Sequence, residues 1–178
     1  MSKFIKAVFL IVTLLVPAGI FTFLKYFGNN KFDVEVMYEA GVPDKYKTEC
    51  NINLVPYSIS EFILDKKAGL KLAAFDNGSD ELEFKNISIR LSELFKDDLN
   101  IRLLAKDDKQ SPYFKTLTVT AENYEKYFGC NFILEDLNQL VLLDEKNRIR
   151  GYYGRDLDEI DRLIVEVKIL LENGVDGE

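Results

Sequence analysis

Ala7 to Leu24 is a run of 18 residues without a charge. As a helix rising 1.5 Å per residue it would span about 27 Å, close to the hydrocarbon thickness of a bilayer. Lys3 and Lys6 precede the run. Lys25 follows it, then Lys31, but the acids Asp33 and Glu35 come soon after. The positive-inside rule predicts that the N-terminus stays in the cytoplasm and that the rest of the chain crosses. Residues 1–27 are therefore expected to form a single-pass membrane anchor. A cleaved signal peptide is the competing reading, because Val16-Pro17-Ala18 offers a small-residue cleavage site after a ten-residue apolar core. The apolar run nevertheless continues through Ile20, Phe21, Phe23 and Leu24. A buried core helix is the remaining alternative. No Cys lies near the segment, so lipid attachment there is excluded. Anchor and signal peptide both place the domain outside the cytoplasm, and the expected setting is a bacterial inner membrane with the C-terminal domain in the periplasm.

About 150 residues remain, the size of one ordinary domain and enough to fold without staples. The net charge is −7 and no Lys/Arg stripe is present. That balance argues against a nucleic-acid partner, which requires a basic face. The chain has no His at all. It therefore lacks the commonest metal ligand and the side chain best suited to proton transfer near neutral pH.

Residues 28–54 read as a polar lead-in. A short strand is expected where Phe32, Val34, Val36 and Tyr38 alternate with Asp33, Glu35 and Met37, ending at the turn Gly41-Val42-Pro43-Asp44. The domain proper is expected over 55–174. Leu70 to Phe75 is a short apolar strand, followed by the loop Asp76-Asn77-Gly78-Ser79-Asp80. Phe84, Ile87, Leu91, Leu94 and Phe95 fall at helical spacing up to about Lys96. Ile101 to Ala105 is a second strand, and Lys106 to Pro112 a charged loop. Thr120 is placed to cap a helix carrying Tyr124, Tyr127 and Phe128 and stopping at Gly129. Leu140–Leu143 and Ile149–Tyr153 flank Asp144-Glu145-Lys146-Asn147, a hairpin signal. Asp156 caps the last helix, with Glu159 at capping-box spacing. Its apolar stripe is Leu157, Ile160, Leu163, Ile164, Val167, Leu170 and Leu171, and Gly174 ends it.

Two strands joined by a helix are expected to be parallel neighbours, and the final pair antiparallel. The order strand, helix, strand, helix, hairpin, helix is the thioredoxin order. It predicts an α/β fold with a mixed four-stranded sheet flanked by helices, preceded by one transmembrane helix.

The stretch Val141-Leu142-Leu143-Asp144-Glu145-Lys146-Asn147-Arg148-Ile149-Arg150-Gly151-Tyr152-Tyr153 resembles the Sco/SenC family. The following helix, with Leu163, Ile164, Val167 and Leu170-Leu171, is also similar. So is Tyr57-Ser58-Ile59-Ser60-Glu61-Phe62, where Ser60 replaces a usual Pro. The resemblance spans roughly 55–172. It implies a thioredoxin-fold protein, often membrane-anchored, that serves copper delivery to cytochrome oxidase. Family members hold copper with a CxxxC pair after the first core strand and a distant His. Here Phe75 to Leu82 contains no Cys, and Glu135-Asp136-Leu137-Asn138 contains no His. Thiolates select Cu(I) and imidazole completes such sites, so family-type copper binding is not carried over. The expectation is a degenerate member with no metal, cofactor-binding or catalytic residues.

Cys50 and Cys130 are the two cysteines. Outside the cytoplasm a disulfide is the favoured reading, with unpaired thiols and a redox-active pair as alternatives. Such a bond closes a loop of about 80 residues and contributes roughly 4–5 kcal/mol in the chain-entropy model. Cys130, placed after a helix end, lacks the helix-start setting that stabilises a thiolate. Asp76, Asp80, Glu81 and Glu83 read as a solvated acidic loop, with a hard-cation site as the alternative. Asp156, Asp158, Glu159 and Asp161 complement a helix dipole. Arg148, Arg150 and Arg155 read as a solvated hairpin face, or as a small anion site near Tyr152 and Tyr153. The expected function is a non-catalytic binding or assembly factor linked to respiratory-complex maturation, with a protein partner. Two other readings stay open: a thiol-disulfide oxidoreductase using Cys50 and Cys130, and a cell-envelope interaction domain without a respiratory role.

Overall fold

Leu70–Phe75 (β1) is buried along its whole length, as a central strand covered on both faces must be. The structure, a computed structural model, describes residues 3–27, 33–60, 69–76, 81–105, 115–118 and 124–173. The chain divides into two units, Met1–Phe32 and Asp33–Glu178. In the first, Lys3–Phe27 (α1) is helical, and its part Lys3–Phe23 is long and apolar enough to cross a bilayer. Pro17 sits inside this helix and leaves the Thr13 carbonyl without its usual amide donor. Thr13 and Thr22 turn their hydroxyls back onto the Phe9 and Ala18 carbonyls at 2.7 and 2.8 Å.

The second unit is built on a five-stranded sheet of order β3 (Lys115–Thr118), β2 (Leu99–Ala105), β1, β4 (Leu140–Leu143) and β5 (Ile149–Tyr153). After β1 come α3 (Glu81–Phe95), a 3-10 turn (Lys96–Asp98) and β2 (Leu99–Ala105), which runs parallel to β1 from Leu70↔Leu99 to Phe75↔Leu104. β4 (Leu140–Leu143) pairs antiparallel with β1 and with β5 (Ile149–Tyr153). Helices α4 (Tyr124–Phe132) and α5 (Leu157–Asn173) complete a thioredoxin-like arrangement. The expected four strands become five because Lys115–Thr118 (β3) adds to β2, parallel, from Arg102↔Lys115 to Ala105↔Thr118. This outer strand is four residues long with one apolar residue, Leu117, too little to produce a period.

Alternation along β1 and β4 builds two cores. Leu72, Ala74, Leu140 and Leu142 face one cluster with α3 and α5. Ala73, Phe75, Val141 and Leu143 face the other, with α4 and residues from Val42 to Ile59. On α3, Phe84, Ile87, Leu91 and Phe95 are buried, but Leu94 is exposed, contrary to its expected place on the stripe. On α5, Ile160, Leu163, Ile164, Val167 and Leu170 are buried. Leu157 and Leu171, expected on that stripe, are exposed near the two ends of the helix. Asp156 caps α5 as its position predicts, accepting the Glu159 amide at 3.1 Å.

The lead-in departs most from expectation. No strand forms at 33–38. Val34 is buried, but among the described residues the backbone bond from this segment to β5 is that of the Met37 amide to the Ile149 carbonyl (2.8 Å), before Tyr38 turns away at φ +60°. A short helix not anticipated from the sequence, Asp44–Glu49 (α2), follows Pro43 and buries Tyr46. The Tyr57 amide then returns to the Tyr38 carbonyl (3.2 Å), and the Ile59 amide to the Asn147 carbonyl (3.0 Å). Phe32, Phe62, the loop at 106–112, Thr120 and Gly174 lie outside the described residues.

Candidate functional site

The carboxyl end of β1, facing the start of α3, is where an open α/β sheet presents ligands. Here the Asp76 amide donates to the Leu104 carbonyl at 2.9 Å. The Tyr124 hydroxyl, from the first turn of α4, lies 2.6 Å from the Leu104 carbonyl and 3.0 Å from the Asp76 carbonyl. Burial, reinforced by the Asp76 carboxylate, pushes that hydroxyl up to about 12.

Arg155 crosses the same end. Its Nη2 donates to the Phe75 carbonyl (3.2 Å), its Nε to the Asn138 carbonyl (3.0 Å), and its guanidinium lies 5.6 Å from the centre of the Phe84 ring. One side chain thus joins β1, the loop before β4 and the first turns of α3. Burial lowers its affinity for a proton, and the nearby Glu83, Asp136 and Asp76 carboxylates oppose that. Asp76 and Glu83, expected in an acidic loop, therefore sit around a cation. Asp80 lies outside the described residues, as does the side chain of Glu81. Among the described residues no three His, Cys, Asp or Glu side chains converge as metal ligands.

Arg148 and Arg150 do not join Arg155. The registers Lys71↔Leu143 and Leu140↔Tyr153 put them at the opposite end of the sheet. They are not a solvated face either. Asp144, with no solvent exposure, accepts the amides of Lys146 (2.8 Å) and Arg148 (2.9 Å), Arg148 Nε (2.7 Å) and Arg150 Nε (3.0 Å). Arg150 Nη1 also donates to the Val34 carbonyl at 2.6 Å. Lys71, buried on β1, donates to Asn147 Oδ1 at 2.8 Å. Sequence reasoning saw Asp144 only as a turn residue, yet it organises this end. The available signal was an Asp followed by Arg at the fourth and sixth positions.

Each remaining residue of the Arg148–Tyr153 run is also used in packing. Ile149 is a core residue. Gly151 lies under the Tyr153 ring, where a Cβ would come within 2.8 Å of a ring carbon. The Tyr152 hydroxyl donates to the Phe132 carbonyl (2.8 Å) and lies 3.2 Å from the Tyr38 hydroxyl. The Tyr153 hydroxyl meets Glu166 Oε2 at 2.5 Å, and the Arg162 guanidinium lies 4.7 Å from its ring centre. Burial raises both tyrosines far above their ordinary range. Of the acids at the start of α5, Glu159 pairs with Arg162 (2.8 Å) and Asp161 with Arg90 (2.6 Å), while Asp158 is exposed.

Cys50 and Cys130 are joined, with their Cα atoms 5.5 Å apart. Cys130 lies in the last turns of α4, not beyond its end as the sequence suggested. The helix passes through Gly129 because Ile133, at φ +54°, takes the left-handed position that ends it. The Leu134 amide then closes on the Gly129 carbonyl at 2.9 Å. Cys130 lies six positions beyond Tyr124, about 9 Å along the helix.

The copper chemistry implied by the Sco/SenC resemblance can be tested against this donor set. The residues at the carboxyl end of β1 supply carboxylates, backbone carbonyls and a guanidinium, with no sulfur or imidazole, and they do not fit a Cu(I) site.

No protein-family model matches the chain, and no curated protein matches it. Among solved structures it is similar to a SCO1/SenC family lipoprotein from Bacillus anthracis, at 16% identity and TM-score 0.47, covering 60% of this chain and 84% of that one. It is also similar to yeast Sco1 with copper bound, at 16% identity and TM-score 0.46, covering 64% and 86%. The thioredoxin domain of a thiol-disulfide oxidoreductase from Bacteroides vulgatus aligns at 14% identity and TM-score 0.46, covering 58% and 82%.

Proposed function

We propose that this chain is a membrane-tethered, non-catalytic, Sco-like protein. It acts on the outer face of a bacterial inner membrane as a binding or assembly factor in cytochrome oxidase maturation. The observation that carries the reading is where the family-like residues go. Arg148 to Tyr153, the core of the resemblance, are all spent on holding the hairpin to its neighbours. Meanwhile the end of β1 that would hold a soft metal is closed by Arg155 and carries oxygen donors. The scaffold is kept and the donor set for copper is not. The respiratory link rests on the sequence resemblance, and the tether on α1.

A Cu(I) titration of the full chain in detergent micelles, against a competing chelator, tests the non-metal half. No stoichiometric complex is expected, and a tight one-to-one complex overturns it. A source strain lacking the chain tests the other half. Its membranes should contain less assembled oxidase by haem difference spectrum, restored by the wild-type gene. Unchanged spectra refute the assembly role.

A further inference from the structure

Residues 39–56 form a loop whose base is closed without help from the disulfide. The Tyr57 amide bonds the Tyr38 carbonyl, and each side is fastened to the hairpin: Met37 to Ile149, Ile59 to Asn147 and, further out, Arg150 to the Val34 carbonyl. Beyond the base, little holds the loop down. Of residues 39–56, Val42 and Tyr46 are buried, and the others are half-buried or exposed. α2 has six residues and no side-chain cap at its start. A helix so short does not persist by itself. Gly41 and Asn51 hold positive φ, at +105° and +54°, on either side of it. Besides the packing of Val42, Tyr46 and Ile52 into the cluster with Phe128 and Phe132, the loop meets the turn beyond α4 through the Lys45–Glu135 ion pair, which is exposed and therefore weak. The covalent tie to α4 is Cys50–Cys130, and both half-cystines are half-buried.

We propose that Cys50–Cys130 is a reversible latch on this loop. A dithiol reductant attacks one sulfur to form a mixed disulfide, and its second thiol resolves it. The reductant leaves as a disulfide, and Cys50 and Cys130 are left as two protonated thiols. Residues 39–56 then lift as a unit, Val42 and Tyr46 leave the aromatic cluster of Phe128 and Phe132, and the base at Tyr38 and Tyr57 stays shut. Opening is local because the core on the other face of the sheet, with α3 and α5, contains none of the loop's described residues, and the bonds at the base hold without the loop.

The test uses the full chain in detergent micelles. Native protein is treated with dithiothreitol, alkylated, desalted and digested briefly with trypsin, and cleavage sites are followed by mass spectrometry. Lys45 and Lys47 report the loop, and Arg162 and Lys168 report α5. The latch predicts that both thiols alkylate without denaturant. It also predicts that cleavage after Lys45 and Lys47 accelerates at least about tenfold while α5 is unchanged, as expected for sub-global opening. A reduced sample that is reoxidised before digestion should regain protection. Three outcomes overturn the latch: thiols that alkylate only after denaturation, a reduced loop as protected as before, or α5 sites opening together with the loop.

Discussion

Asp144 is the side chain on which the hairpin turn depends. It has no exposure, and Arg150 Nε beside it belongs to a side chain only 2% exposed. Asp144→Asn keeps the shape and removes the charge, leaving a buried guanidinium uncompensated. Removing one partner of a buried pair costs about 3–5 kcal/mol. The urea midpoint should fall accordingly with an unchanged slope. A variant within about 0.5 kcal/mol of wild type would show that the pair does not hold the turn. In the sequence this shows only as the spacing of Asp144 from Arg148 and Arg150. Three arginines close together read as one face, although the expected strand Ile149–Tyr153 already left Arg155 beyond its end, and strand alternation does not reveal which end of the sheet each side chain serves. Alternation likewise does not reveal that Arg150 reaches a carbonyl 116 residues earlier. Gly151 shows the opposite limit: its identity was quoted as part of a motif, while its reason, the ring of Tyr153 lying over it, is a packing fact.

At the scale of elements, legibility followed length and periodicity. α5 was read with its cap and five of its seven stripe positions, because seventeen residues give several turns of one period. The two misplaced leucines give a test of the assignment. Leu163 has no exposure and Leu157 is 75% exposed. Leu163→Ala should cost about 2–5 kcal/mol and Leu157→Ala less than about 0.5 kcal/mol in urea unfolding. Equal losses would mean that α5 packs by another face. Short elements escaped. β3 and α2 each offer a single strongly apolar or buried position, and α4 ran past Gly129 because a non-glycine residue, Ile133, took the left-handed turn. The expected strand at 32–38 failed for a different reason. Its alternation was real, but Tyr38 turns the chain after one bond to β5.

At the scale of the whole molecule, buried tyrosine hydroxyls tie separate parts together. Tyr57 reaches the Asn131 carbonyl, Tyr124 the ends of β1 and β2, Tyr152 the end of α4, and Tyr153 α5. Burial raises Tyr57 and Tyr124 to about 12. Unfolded, they titrate near 10. The folded state keeps protons that the unfolded state releases above that pH. Their contribution is therefore complete below about pH 10 and is lost as pH climbs through 12. Urea stability should fall over that window, and more gently in Tyr57→Phe. A flat profile would mean the hydroxyls are not buried in solution. The overall architecture was legible except for its fifth strand, since two parallel strands, a hairpin and their helices follow from element order. The bond from Met37 to Ile149 has one more consequence. β5 ends the sheet, and a border strand is a template on which another copy's backbone can grow. Met37 takes one carbonyl of that rim and Arg150 reaches across it to the Val34 carbonyl, so this part of the border is not free to pair with a second chain.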